Sequence, residues 1–154
     1  MHIQITSTSF SDGEPIPMKY TCEGEDISPA LIWRAIPRDA KSVVLICEDP
    51  DAPSGTFVHW LVYNLPTTAT GLPEGVPGTE SLSNGAMQGI NDFRRLGYGG
   101  PCPPRGHAHR YFFRLHALDI RLELSAGLGK NEVTRAMDGH VLSSAYVMGT
   151  YEKR

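Results

Sequence analysis

No block of lysine and arginine stands anywhere in these 154 residues, and acids and bases are mixed along the chain to a formal net charge of −3. That charge pattern excludes the basic footprint expected of a nucleic-acid-binding protein. No apolar run is long enough to cross a bilayer, which needs about 20 residues; the longest, Val43-Val44-Leu45-Ile46-Cys47, is far shorter. The opening Met1-His2-Ile3-Gln4-Ile5-Thr6 lacks the basic segment and apolar stretch of a secretory leader. Cysteine is scarce and odd in number. Cys22, Cys47 and Cys102 show no CxxC spacing, so three free thiols in a reducing cytoplasm are expected. There is no G-x-S-x-G elbow of a serine hydrolase and no HExxH of a zinc protease. Repeats, low-complexity tracts and linkers are absent as well, which leaves one domain over residues 1–154.

What is abundant is glycine and proline, 16 and 12 residues respectively. Both exceed ordinary usage and favour a turn-rich β protein over a helical bundle. The strongest strand is Ser42–Glu48, a buried apolar run ending in the turn Asp49-Pro50-Asp51-Ala52-Pro53. Phe57–Leu65 is the next, with Val58, Trp60 and Val62 expected on one face and His59, Leu61 and Tyr63 on the other. Arg110–Leu118, Ile3–Ser7, Ala30–Trp33 and Ala145–Tyr151 read as further strands. One helix is well signalled, Lys130–Asp138, with Val133 and Met137 one turn apart and Gly139 placed as its stop. The fold class is all-β, a sandwich or barrel with small helical additions.

Gly97-Tyr98-Gly99-Gly100-Pro101-Cys102-Pro103-Pro104 can be neither a helix nor a central strand, and it runs on to His107, His109 and Tyr111. Each proline fixes φ and removes a donor; the glycines let backbone approach closely or take positive φ. A loop this stiff reads as a ligand-binding wall rather than a solvent crossover. Asp49 ends a buried strand, His59 stands among Phe57, Val58, Trp60 and Leu61, and His109 opens an aromatic strand. Singly, such residues are usually a turn former and satisfied core histidines. Together they suggest a cavity at one end of a sheet. His107-x-His109 with Asp49 is a weak metal pattern, and His107 is expected to face solvent. The rings of Trp33, Trp60, Phe112 and Phe113 read as core, and the acidic stretch Glu23–Asp26 as solvated.

These blocks in this order resemble the phosphatidylethanolamine-binding protein family, and within it the small bacterial and archaeal branch called Raf-kinase-inhibitor-like. The resemblance extends through Ser28-Pro29-Ala30-Leu31-Ile32-Trp33 and Gly139-His140-Val141-Leu142 to nearly the whole chain. It implies a large antiparallel sheet packed on a second sheet, and an anion pocket at the sheet end. That pocket would comprise Asp49, Ala52, Pro53, His59, Gly100, Cys102, Pro103, Pro104, His109 and Tyr111. The chain lacks the long C-terminal helical extension of eukaryotic members, and has Cys102 where many of them have glycine. The first difference tells against a simple transfer of their lipid and kinase roles; the second leaves a backbone N–H but adds a thiol.

Binding is favoured over catalysis on these residues. The expected ligand is a small phosphate-like or phosphoryl headgroup, held by backbone N–H groups of the wall, by both imidazoles and by the Tyr111 hydroxyl, with Asp49 orienting an imidazole or sharing a proton with the bound phosphate. No cofactor and no metal are expected, and no catalytic residue is assigned. The resemblance adds inhibition or regulation of a kinase or protease, and a homodimer. The alternative is a hydrolase of small phosphoesters or esters that uses the Asp/His pocket, with Cys102 as nucleophile.

Overall fold

The computed structural model describes residues 2–153. Eight strands and one helix follow in the order β1 (Gln4–Thr6), β2 (Leu31–Arg34), β3 (Ser42–Asp49), β4 (Phe57–Leu65), β5 (Gly71–Leu72), β6 (Met87–Gln88), β7 (His109–Leu118), α1 (Lys130–Met137) and β8 (Val141–Tyr151). They form two antiparallel sheets. The larger has the order β6-β4-β3-β7-β8 and the smaller β1-β2-β5. The β-rich class, the two-sheet architecture and the single helix agree with the expectation from sequence.

β3 is central in the large sheet, and all eight of its residues are buried. Both faces of that strand are therefore covered, which is why it reads as a continuous apolar run rather than an alternating one. Val43, Leu45 and Cys47 face the small sheet, where they join Ile5, Leu31, Trp33, Trp60, Phe113 and Leu115 in one cluster. Val44 and Ile46 point the other way, to Leu61, Tyr63, Leu118, Val133 and Met137. The second set includes the two helical residues whose one-turn spacing marked α1. Gly139 follows the helix at φ 80°, a left-handed conformation that glycine takes without steric cost.

β7 alternates more cleanly than its sequence promised: His109, Tyr111, Phe113, Leu115 and Ala117 are buried, with less buried residues between them. β8 begins at Val141, four residues earlier than expected, because Val141 to Ala145 pair with Leu118 to Leu115 although they are mostly exposed. The two-residue strands β5 and β6 carry no periodicity of their own.

The face assignment within β4 is corrected. Cys47 pairs with Trp60, but Glu48 pairs with Val58, so His59 is an extra residue in the ladder. This bulge resets the alternation. Val58 joins the helix-side cluster while Trp60 and Val62 stay on the inter-sheet side. The His59 ring comes 5.2 Å from Tyr111, a member of the inter-sheet cluster. Bulges commonly re-aim one side chain near a site, and here it is the candidate histidine.

Candidate ligand-binding site

The ends of β3, β4 and β7 meet at one edge of the large sheet. Asp49, the last residue of β3, sends Oδ1 to the Asp51 backbone N–H at 2.8 Å, and its Oδ2 lies 2.6 Å from Nδ1 of His109. One carboxylate thus closes the Asp-Pro turn and fixes an imidazole. Asp51 in turn accepts from the Arg110 backbone N–H, Nε and Nη2 at 2.8–3.0 Å, and this guanidinium holds its carboxyl down at about 2. The turn and the start of β7 are locked together from both sides.

His59 is 3% exposed, and its Nδ1 lies 2.6 Å from the Gly99 carbonyl. A carbonyl only accepts, so Nδ1 carries the proton and Nε2 of the neutral ring is left with a lone pair. The same reasoning makes Nδ1 of His109 the donor to Asp49. Burial pushes the His59 pKa below the ordinary histidine range, against the opposing pull of the Gly99 carbonyl. Tyr111 is 1% exposed, and its hydroxyl meets no acceptor at hydrogen-bond geometry, although the Asp49 carboxylate is close enough to act on it. Burial, followed by the nearby Asp49 charge, pushes its pKa up, so the hydroxyl stays protonated and remains a donor. An unmade hydrogen bond at a buried donor costs about 1–3 kcal/mol.

A cavity of about 740 Å³ opens onto these groups. Nine of the ten expected residues line it: Asp49, Ala52, Pro53, His59, Cys102, Pro103, Pro104, His109 and Tyr111. Gly100 is not among the lining residues. Its backbone N–H donates to Asp26 Oδ1 at 2.8 Å, and a Cβ there would fall 2.2 Å from the Tyr20 carbonyl oxygen. The glycine serves close packing of the wall on the loop Tyr20–Asp26. Of residues 100–104, three are prolines, so the wall retains only the Cys102 N–H for a ligand. The expectation of a wall rich in backbone donors is corrected accordingly. Among the described residues every peptide bond is trans.

The cysteine expectation is overturned. Cys22 and Cys102 form a disulfide with a Cα–Cα separation of 5.4 Å. Only Cys47 is free, and it is buried on β3 with its thiol pKa pushed well up by desolvation. The odd count arose from a bonded pair plus one core residue. The Cys102 sulfur is therefore not available as a nucleophile while the bond is intact, and the ground for expecting a reducing compartment is removed. The acidic stretch is also more than solvated: Asp26 holds Gly100, and Glu23 accepts from the Tyr151 hydroxyl.

Sequence reasoning missed the outer wall, made by Ile90, Asn91, Asp92, Phe93 and Arg94, and missed Phe57 as a lining residue. Phe57 and Phe93 meet edge to face at 4.7 Å, and the His59 ring lies 5.0 and 5.4 Å from them. The Asn91-Asp92 pair was the one usable signal, since such residues commonly build turns. His107 is exposed, with its ring 5.4 Å from that of His109, and it does not line the cavity. Among the described residues no group of His, Cys, Asp and Glu is arranged to hold a metal ion. No helix there is long and apolar enough to cross a membrane.

Neutral burial of His59 sets a pH dependence of stability, to which half-buried His116 contributes in the same direction through burial and the Arg114 charge. Unfolded imidazoles protonate near pH 6.5, whereas these two do so only lower while folded. Between those values the unfolded state binds more protons, so stability falls as pH drops through that window. Urea unfolding midpoints should decline from pH 7 to pH 5. The decline should be smaller in His59→Gln, which keeps a donor for the Gly99 carbonyl. Equal declines in the two proteins would contradict the neutral reading of His59.

Two packed antiparallel sheets with a cavity at the end of the larger one are a frame suited to binding a ligand. Comparison with known proteins gives the particular family. The family model described as phosphatidylethanolamine-binding protein matches residues 6–152, and the chain belongs to that family. It is 50% identical over 151 residues to a UPF0098 protein of Methanothermobacter thermautotrophicus, covering 98% of this chain and 99% of the relative. It is 49% identical over 153 residues to one of Aquifex aeolicus, covering 98% and 89%. Among solved structures it resembles the phosphatidylethanolamine-binding protein homolog CT736 of Chlamydia trachomatis, with TM-score 0.90, 46% identity and 99% of each chain covered. It also resembles Escherichia coli YbcL, with TM-score 0.91, 32% identity and the full length of both chains covered.

Proposed function

We propose that the chain binds a small phosphoryl group in the cavity at the ends of β3, β4 and β7. The observation that carries this reading is the Tyr111 hydroxyl: a buried donor with no acceptor at hydrogen-bond geometry, next to a buried Asp49–His109 pair and inside a cavity. Among ordinary buried groups such a donor is rare, because leaving it unmade is costly. A phosphoryl oxygen would accept from it. With each Nδ1 engaged by its own acceptor, the Nε2 of a neutral ring accepts rather than donates, so the inner end suits a phosphoryl group that still carries a proton. Protonation of a ring turns the same atom into a charged donor. Affinity should therefore rise as pH falls.

Calorimetric titration with inorganic phosphate at pH 6 tests the reading. Tyr111→Phe should weaken binding by about tenfold or more while leaving stability unchanged or slightly raised, since it removes an unsatisfied buried hydroxyl. Unchanged affinity in that variant would remove the inner end from the binding site.

A hydrolase is the competing reading. With Cys102 in a disulfide, it would need the Asp49–His109 pair to activate water. Sustained turnover of p-nitrophenyl phosphate, lost in His109→Gln, would favour it. Regulation of a kinase or protease requires a protein-facing surface in addition, and the present reading rests on the pocket alone. A homodimer through β8 is supported by its place at the sheet edge and by exposed Val141, Leu142 and Tyr146 on it. Light scattering should then give twice the chain mass, falling to one in Tyr146→Glu. A cytoplasmic location has to accommodate the Cys22–Cys102 bond, and trapping thiols before cell lysis reports whether that bond exists in the cell.

A further inference from the structure

One side of the cavity is lined by residues 90–94. Asn91 organises the turn here: Oδ1 accepts from the Phe93 and Arg95 backbone N–H groups at 2.9 and 3.2 Å, and Nδ2 donates to the Gly97 carbonyl at 2.9 Å. Asp92 Oδ2 accepts from the Val58 backbone N–H at 2.7 Å, which ties the turn to β4. Within this frame Arg94 sits at φ 65°, a left-handed conformation that costs residues other than glycine free energy. Asp26, Ala35 and Asn64 also have positive φ, but only Arg94 lines the cavity. Strained residues of this kind gather at ligand sites because the surroundings over-determine them.

The charges of the turn are divided. Arg95 lies over the Phe93 ring and 3.8 Å from Asp26. Arg94 is exposed and has no ion pair among the described residues. The cavity is thereby graded. Its inner end holds the Tyr111 hydroxyl and the two imidazoles, its middle the Phe57 and Phe93 rings, and its rim a guanidinium. The carboxylates that line it are both engaged, Asp49 with His109 and Asp92 with the Val58 N–H.

We infer that Arg94 is a specificity residue, selecting phosphoryl compounds that carry a second anionic group, a carboxylate, at the end away from the phosphoryl. The inference rests on the phosphoryl reading of the inner end. The guanidinium fork matches a carboxylate in two parallel hydrogen bonds, and its position at the rim leaves the inner end free for the phosphoryl.

O-phosphoserine and O-phosphoethanolamine differ only by that carboxylate, so calorimetric titration with both isolates the role of Arg94. The wild-type protein should bind phosphoserine about tenfold more tightly than phosphoethanolamine. Arg94→Ala and Arg94→Gly should bind the two equally. The glycine variant keeps the positive φ without strain, so misfolding does not obscure the result. Lys41→Ala removes the same charge from a distant, exposed position and should retain the preference. Equal affinities in the wild type, or a preference that persists in Arg94→Gly, overturn the inference while leaving the phosphoryl reading intact. Binding of neither compound by the wild type overturns both.

Discussion

The Cys22→Ser/Cys102→Ser double variant is expected to lose about 4–5 kcal/mol of stability. The bond closes a loop of 80 residues, and removing it restores the entropy of that loop to the unfolded chain. At roughly 2–4 °C per kcal/mol for a chain of this size, the melting temperature should fall by about 10 °C or more. The pocket wall should keep its shape nonetheless. Three hydrogen bonds besides the disulfide fasten it to the loop 20–26: Gly100 N–H to Asp26, Cys22 N–H to the Pro101 carbonyl, and the Tyr98 hydroxyl to the Tyr20 carbonyl. Scanning calorimetry of the double variant against the oxidised wild type measures the loss. A reductant should lower the wild-type melting temperature to the same value, because Cys22 is exposed and the bond can be reached. No change in either experiment, with three thiols titrating in the denatured unreduced protein, would mean that the bond does not form.

That bond also marks where sequence reading stopped. Cys22 and Cys102 are distant along the chain and lie in irregular segments, so no periodicity relates them. The third cysteine disguised the pair by making the count odd. The strands were legible for the opposite reason. Each of β3, β4 and β7 carries its own apolar pattern, bounded by Pro or Gly, and their ends came within a residue of the observed ones. β5 and β6 are two residues each and exist through pairing with β2 and β4; nothing local specifies them.

The inner end of the pocket was legible because Asp49, His59 and His109 are polar residues interrupting apolar strands. Their hydrogen-bond roles were not. That His59 leans on the Gly99 carbonyl, and that Gly100 spends its N–H on Asp26, depends on segments 40 and 74 residues away in sequence. The outer wall escaped altogether. Phe93 stands outside any apolar run, and an arginine carries no sign that its φ is positive.

His109→Ala should cost about 1–3 kcal/mol or more, since it leaves a buried carboxylate without its ring N–H donor. Asp49 is 3% exposed and would keep the Asp51 N–H but lose its ring donor. Asp49→Ala/His109→Ala should cost less than the sum of the two single variants, since the second change removes the group that the first left unpaired. Asp49→Asn separates geometry from charge. Its side-chain oxygen can still accept from Asp51, while its amide N–H would point at Nδ1 of His109. That ring must then move its proton to Nε2, so an acceptor at the inner end becomes a donor. Nitrogen-15 NMR of His109 should report the exchange of tautomers, with a stability loss well below that of His109→Ala. Phosphate binding then reads the consequence. In the wild type, affinity should fall between pH 6 and pH 8, because the phosphate loses the proton it gives to an Nε2 lone pair. In Asp49→Asn a neutral donor persists through that range, and the profile should flatten. Parallel profiles in the two proteins would show that His109 does not touch the ligand, whatever it contributes to the fold.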